Sequence, residues 1–115
     1  MKMIIAIIRP DKFEAVQAAL VAKDIYLMTV SDVRGCGTQK GFAEQFRGNK
    51  IGLVRLLPKV KLEIAVPTDI VDRVVDALAQ AANTGKIGDG KLFVLDLEAA
   101  LRIRTGERVL AAITG

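Results

Sequence analysis

The stretch Thr84-Gly85-Lys86-Ile87-Gly88-Asp89-Gly90-Lys91 holds the densest set of groups able to bind an anion. Glycines at 85, 88 and 90 let a backbone turn tightly or let another group come close to it. Lys86 and Lys91 add ammonium groups toward either end, and Leu92-Phe93-Val94-Leu95 then reads as a buried strand. A glycine loop opening into a strand suits a phosphate, cradled by backbone N–H groups and neutralised by lysine. The same residues also fit a basic connection between two elements, with no ligand at all. A short motif alone does not choose between the two.

What the chain lacks narrows the chemistry. It has no histidine and one cysteine, Cys36. That removes Ser-His-Asp catalysis, His-ligated metals, internal disulfides and cysteine-rich zinc sites. No pair of base and nucleophile stands beside the glycine loop, so a binding protein is expected and not an enzyme. Seventeen basic against 13 acidic residues give a net charge of +4, a mild bias toward anionic partners such as nucleotides. With 51% apolar residues over 115 positions, one domain with a real core is expected. The apolar run Met3 to Ile8 stops at Arg9-Pro10-Asp11, too short for a membrane span or a signal peptide. A soluble, cytoplasmic protein is the expectation.

These groups need elements to position them. Met1 to Arg9 reads as a strand, and Asp11 opens a helix with Phe13, Val16, Ala19 and Leu20 on its apolar stripe, ending at Lys23-Asp24. Tyr26 to Arg34 reads as a second strand. Residues 38–55 show no sustained period, contain Gly41, Gly48 and Gly52, and set Lys40, Arg47, Lys50 and Arg55 against Glu44 alone. A long, flexible, basic loop is expected there. Val60, Leu62, Ile64 and Val66 alternate with polar or small residues as a strand with one buried face. Pro67-Thr68-Asp69 starts a second helix, with Ile70, Val71, Val74, Val75, Leu78 and Ala81 as its stripe. A strand follows from Lys91 to about Leu97, then one helical turn over Glu98 to Leu101 and a short extended piece, Arg102-Ile103-Arg104.

A shift of 58 positions lays Ile4 on Leu62, Ala6 on Ile64, Ile8 on Val66, Asp11 on Asp69, Val16 on Val74, Ala19 on Ala77 and Leu20 on Leu78. Two β-α-β halves of this kind, with right-handed crossovers, make an α+β, ferredoxin-like β-α-β-β-α-β fold. Its four-stranded antiparallel sheet carries both helices on one face. The bare face then calls for a cover, which oligomerisation supplies.

The chain, from Met-Lys-x-Ile-x-Ala-Ile-Ile-Arg-Pro to Arg102-Ile103-Arg104-Thr105-Gly106-Glu107, resembles the PII family of nitrogen-regulatory signal proteins. The most specific motifs are Thr84 to Val94, Gly37-Thr38-Gln39-Lys40-Gly41, Arg47-Gly48 and Leu57-Pro58-Lys59. The resemblance covers residues 1–115 as a single domain. It implies a homotrimer with nucleotide clefts between subunits, ATP or ADP as regulatory ligand, and 2-oxoglutarate bound together with Mg-ATP. It further implies a long loop that docks on a target such as an ammonium transporter, another membrane transporter or an enzyme, recruiting the protein to a membrane. On this basis Gly88, Asp89 and Gly90 present backbone to the nucleotide, and Lys91, Arg102 and Arg104 meet phosphate. Ile7, Thr29, Gly35, Cys36, Gly37, Thr38 and Gln39 line the rest of that cleft. Gln39, Lys40, Gly41 and Lys59 face 2-oxoglutarate, with Gln39 also on magnesium, and Arg47 anchors the partner. Arg102 and Arg104 otherwise read as a solvated basic edge, Ile7 as core and Lys59 as an exposed strand lysine.

The sequence also departs from the family pattern. Thr38 stands where a basic residue is usual, so ADP or AMP gains on ATP; Cys36 replaces a residue that is often aromatic. Arg55 stands where an acid is common, and the loop has no tyrosine, with Phe46 and Ile51 near the usual place. Uridylylation therefore lacks its residue, since the one tyrosine, Tyr26, falls in the second strand. An alternative is an AMP or ADP sensor outside nitrogen control. A distant one is an RNA-binding module of the same fold, but aromatic residues total 4% and give no stacking platform, so no nucleic acid is expected.

Overall fold

The computed structural model describes residues 1–36 and 55–113. The strands are β1 (Lys2–Ile8), β2 (Thr29–Gly35), β3 (Leu57–Val66) and β4 (Gly90–Asp96); the helices are α1 (Phe13–Val21), α2 (Val71–Ala82) and a last short turn α3 (Leu110–Ile113). They form one antiparallel sheet in the order β2-β3-β1-β4. This is the expected ferredoxin-like arrangement, with β1 and β3 as the central pair.

The two halves match closely. A 3-10 turn precedes each long helix, Pro10–Lys12 before α1 and Thr68–Ile70 before α2. Proline enters the first of these at its start, where its missing N–H costs nothing. Ile4, Ala6, Ile8, Val16 and Leu20 are buried, and so are their counterparts Leu62, Ile64, Val66, Val74 and Leu78. Together they form one core between the sheet and the helix pair, with Phe13, Ile25, Ile70 and Val75 packed around it. Alternation along β1 and β3 sends this apolar set to the helices. The opposite set shares the open face: Met3, Ile5 and Ile7 of β1 lie beside Phe93, Leu95 and Lys91 of β4, and beside Ala65, Glu63 and Lys61 of β3.

The edges differ from the sequence expectation. Tyr26 to Met28 precede the second strand and do not belong to it, because pairing with β3 begins only at Thr29 opposite Glu63. The chain first closes α1, with Asp24 at a positive φ of 62° and the Ile25 N–H on the Leu20 carbonyl. Tyr26 donates its hydroxyl to Asp24 at 2.9 Å, which pushes the phenol's pKa up. β3 starts earlier than its clean alternation, at Leu57. Pro58 is accommodated because β1 joins only from Val60, leaving β3 paired on one side there.

Leu92 to Leu95 form a strand but not a buried one. β4 is a sheet edge, and Phe93, Val94 and Leu95 are 44–47% exposed. Glu98 to Leu101 form no helical turn, and Arg102 to Arg104 are not extended. Leu101 bridges Arg108, the Val109 N–H reaches the Ala100 carbonyl, and Gly106 at φ 74° lets the chain reverse between them. Cross-chain bonds thus satisfy backbone groups that a helix or strand would have used.

Candidate functional site

The glycine loop begins where α2 stops. Asn83 leaves the helix in an extended conformation, and its side-chain oxygen accepts the Gly85 N–H at 2.6 Å. Asp89 then gathers the loop around itself. Its carboxylate accepts the N–H groups of Thr84 and Gly85 at 2.8 and 2.9 Å, the Thr84 hydroxyl, and the Arg9 Nε at 2.9 Å. The Thr84 hydroxyl foremost, with the Arg9 guanidinium, holds this carboxyl well below the usual carboxylate range. Asp89 therefore shapes the loop with its side chain, and only its backbone is left to meet a ligand.

Two glycines are dictated by geometry. Gly90 has φ 98°, and a Cβ there would fall 1.7 Å from the Ile7 carbonyl oxygen, so only glycine lets β4 start against β1. Gly88, at φ 104°, lies against the Arg9 guanidinium, 3.2 Å from where its Cβ would stand.

The structure brings one group of predicted residues together. Lys59 donates its ammonium to the Gly88 carbonyl at 2.6 Å, and its stem crosses Gly35. Lys59 is thus a partly buried link between the end of β2 and the glycine loop, not a free strand lysine. Exposed Cys36 follows Gly35 directly. Lys91, second in β4, pairs with Ile7 on the open face, and a cavity of about 270 Å³ between α2 and the start of β4 touches Leu78, Ala82, Asp89 and Gly90 as well as Ile7 and Lys91. Ile7 is half-buried on the open face and is not part of the core between sheet and helices.

A second group lies elsewhere. Thr29 is on β2, at the opposite sheet edge from β4. Three strand spacings separate them, roughly 14 Å. Thr29 lines a different cavity, of about 430 Å³, with Met3, Glu63, Ala65, Ala112 and Ile113. Arg102 belongs with this second region. It is held in the C-terminal reversal by Glu107 and the Ala111 carbonyl, both at 2.7 Å, beside the α3 residues that line the cavity. Arg104 stands in the same reversal. The arginines are therefore presented by a turn and do not alternate along a strand. The two groups stand apart on one chain, although Thr29, Glu63 and Met3 share the open sheet face with Ile7 and Lys91.

Gly37, Thr38, Gln39, Lys40, Gly41 and Arg47 lie outside the described residues. Arg9 and Thr84 were not among the predicted site residues, although both flank the site in sequence. The available signal was an aspartate alone within a glycine turn, which has to find donors nearby.

The family model described as nitrogen regulatory protein P-II matches residues 1–107. Nitrogen regulatory protein P-II 1 of Escherichia coli strain K12 is 54% identical over 113 residues, spanning 98% of this chain and all of that protein. Nitrogen regulatory protein P-II of Rhizobium etli is 51% identical over 107 residues, 93% of this chain and 95% of the relative. Among solved structures, Arabidopsis thaliana PII bound to citrate is 40% identical with a TM-score of 0.76, covering 96% of this chain and 90% of that one. A match of sequence, fold and motif order over nearly the whole length means that this chain belongs to the P-II family of nitrogen-regulatory signal-transduction proteins.

Proposed function

We propose that this P-II protein senses adenine nucleotides, ATP or ADP, in clefts completed by neighbouring copies of the chain. The observation that carries the reading is the glycine loop. Its backbone is turned by Gly85, Gly88 and Gly90 at positive φ, and its one carboxylate is engaged internally, with Lys91 at its exit. Such a loop offers N–H groups and an ammonium to a phosphate without presenting an opposing charge. The separation of the two half-sites supports a homotrimer. Thr29, Arg102 and Arg104 of one copy would face Ile7, Gly88, Gly90 and Lys91 of the next.

Lys59 is the group suited to a dicarboxylate such as 2-oxoglutarate, with Gln39, Lys40 and Gly41 supplying the remaining contacts. When Mg²⁺ accompanies ATP, the amide oxygen of Gln39 would hold it, and the ion would offset phosphate charge. Among the described residues, Lys59 donates a hydrogen bond to a carbonyl that a carboxylate would displace, so the donor chemistry fits. Partner control passes to the loop at 38–55, with Arg47 as anchor and a membrane transporter or an enzyme as target. Arg47→Ala is expected to leave nucleotide affinity unchanged and to weaken partner binding by about tenfold.

Titration calorimetry with ATP, ADP and AMP, each with and without Mg²⁺ and 2-oxoglutarate, tests the reading. Saturable binding of at least one nucleotide is expected, with ADP and AMP gaining on ATP because Thr38 is neutral. No heat from any of the three would overturn it.

A further inference from the structure

Arg9 has no part in the phosphate contacts proposed above, yet among the described residues it is the side chain that ties the glycine loop to the end of β1. It follows the last residue of β1 and sends its guanidinium across to the loop. Nε donates to Asp89 at 2.9 Å and Nη2 donates to the Ile87 carbonyl at 2.6 Å. The two side chains of the Arg9–Asp89 pair are 27% and 25% exposed, shielded enough for the geometry to matter more than in an open surface pair. Gly88 packs against the same guanidinium.

The bonds from Thr84 and Gly85 to Asp89 lie within one turn. They shape the loop but do not fix it to the rest of the fold. Arg9 grips that turn at both a side chain and a backbone oxygen, using the planar fork that a lysine lacks. These bonds use Nε and one hydrogen of Nη2, so a single side chain holds the turn at two points. We propose that Arg9 is a positioning residue which, through Asp89 and the Ile87 carbonyl, holds the glycine loop in its ligand-receiving shape. This rests on the nucleotide reading for its purpose, but its structural content can be measured without any nucleotide.

The test compares the full-length wild type with Arg9→Gln, Arg9→Lys, Asp89→Asn and the double variant Arg9→Gln/Asp89→Asn. Two quantities are read: amide hydrogen exchange at Thr84 and Gly85 without ligand, and ADP affinity by calorimetry. In Arg9→Gln, exchange at both amides is expected to quicken by about tenfold or more, and ADP to bind about tenfold more weakly. Arg9→Lys restores part of each, since the charge remains but the fork is lost. The double variant loses clearly less ADP affinity than the sum of the two single losses, as expected if Arg9 acts in part through that carboxylate. Unchanged exchange in Arg9→Gln, or losses of affinity that simply add in the double variant, would overturn the proposal. Should Arg9→Gln not fold, Arg9→Lys carries the same comparison. If the wild type binds none of ATP, ADP and AMP, the nucleotide reading falls, while the exchange rates still decide the role of Arg9.

Discussion

The conformations of single residues explain why the loop tolerates so little change. Gly90 combines a positive φ with a Cβ position inside the Ile7 carbonyl. Gly90→Ala is therefore expected to destabilise the fold by about 3 kcal/mol, measured by urea unfolding. Gly85 also has a positive φ, but nothing lies within 4 Å of its Cβ position. Gly85→Ala should cost only about 1 kcal/mol, the backbone strain alone. Asp89 gives the loop its pH response. Its folded pKa is depressed, so its contribution is fully present above the unfolded carboxylate value and is lost as pH falls through the lower folded value. Exchange protection at Thr84 and Gly85, referenced to their intrinsic rates, should stay level from neutral pH down to about pH 5. Protection should disappear only below the ordinary carboxylate range. A loss near neutrality would show that Asp89 does not hold the loop.

The elements carry the stability and set what each functional mutation will cost. Leu20 in α1 and Leu78 in α2 occupy equivalent, fully buried places in the two halves. Truncating either to alanine should cost about 3 kcal/mol in chemical denaturation, with similar values for both. A large asymmetry would mean that the halves do not share the load. The C-terminal reversal behaves differently, because Arg102 braces it through Glu107 and Ala111. Arg102→Ala is thus expected to lower nucleotide affinity and also loosen this segment, read as faster exchange at Gly106. Arg104→Ala and Lys91→Ala should weaken nucleotide binding by roughly tenfold to a hundredfold, the loss of one charged contact, with little effect on melting. Unaltered affinity in both would show that the cleft has been misplaced.

At the scale of the molecule, the open sheet face and the split site point to the same assembly. Ile5, Phe93 and Leu95 lie side by side on that face, and Phe93 and Leu95 are both 47% exposed in the single chain. A homotrimer would cover them and would also bring the Thr29 half-site of one copy to the glycine loop of another. Light scattering should return three times the chain mass for the wild type. Phe93→Asp should give smaller species and lose nucleotide binding at the same time, although residue 93 is not proposed to touch the ligand. A stable wild-type monomer that binds nucleotide would defeat both inferences. No helix among the described residues is long and apolar enough to cross a membrane.

Much of this was legible in the sequence because it depends on local periods. Alternation at Val60 to Val66, helical spacing at Val71 to Leu78 and the echo between the halves follow from side-chain geometry within one element. The glycine loop was legible too, since Gly85, Gly88 and Gly90 mark positions whose backbone other residues cannot adopt. What needed the tertiary structure were contacts between residues far apart in the chain. Arg9 meets Asp89 and Lys59 meets Gly88 because β1 ends and β3 begins beside the loop, and no spacing in the sequence encodes that pairing. The exposure of β4 was equally hidden. Leu92 to Leu95 is apolar enough for an interior strand, but the sheet order leaves it at an edge with one face bare. The segment after β4 was misread for a related reason. Residues 98–104 have weak local preferences, and a reversal fixed at Gly106 by bonds to residues 107–111 decided their conformation. Local periodicity determined the elements; sheet order and long-range hydrogen bonds decided which of their residues became a site.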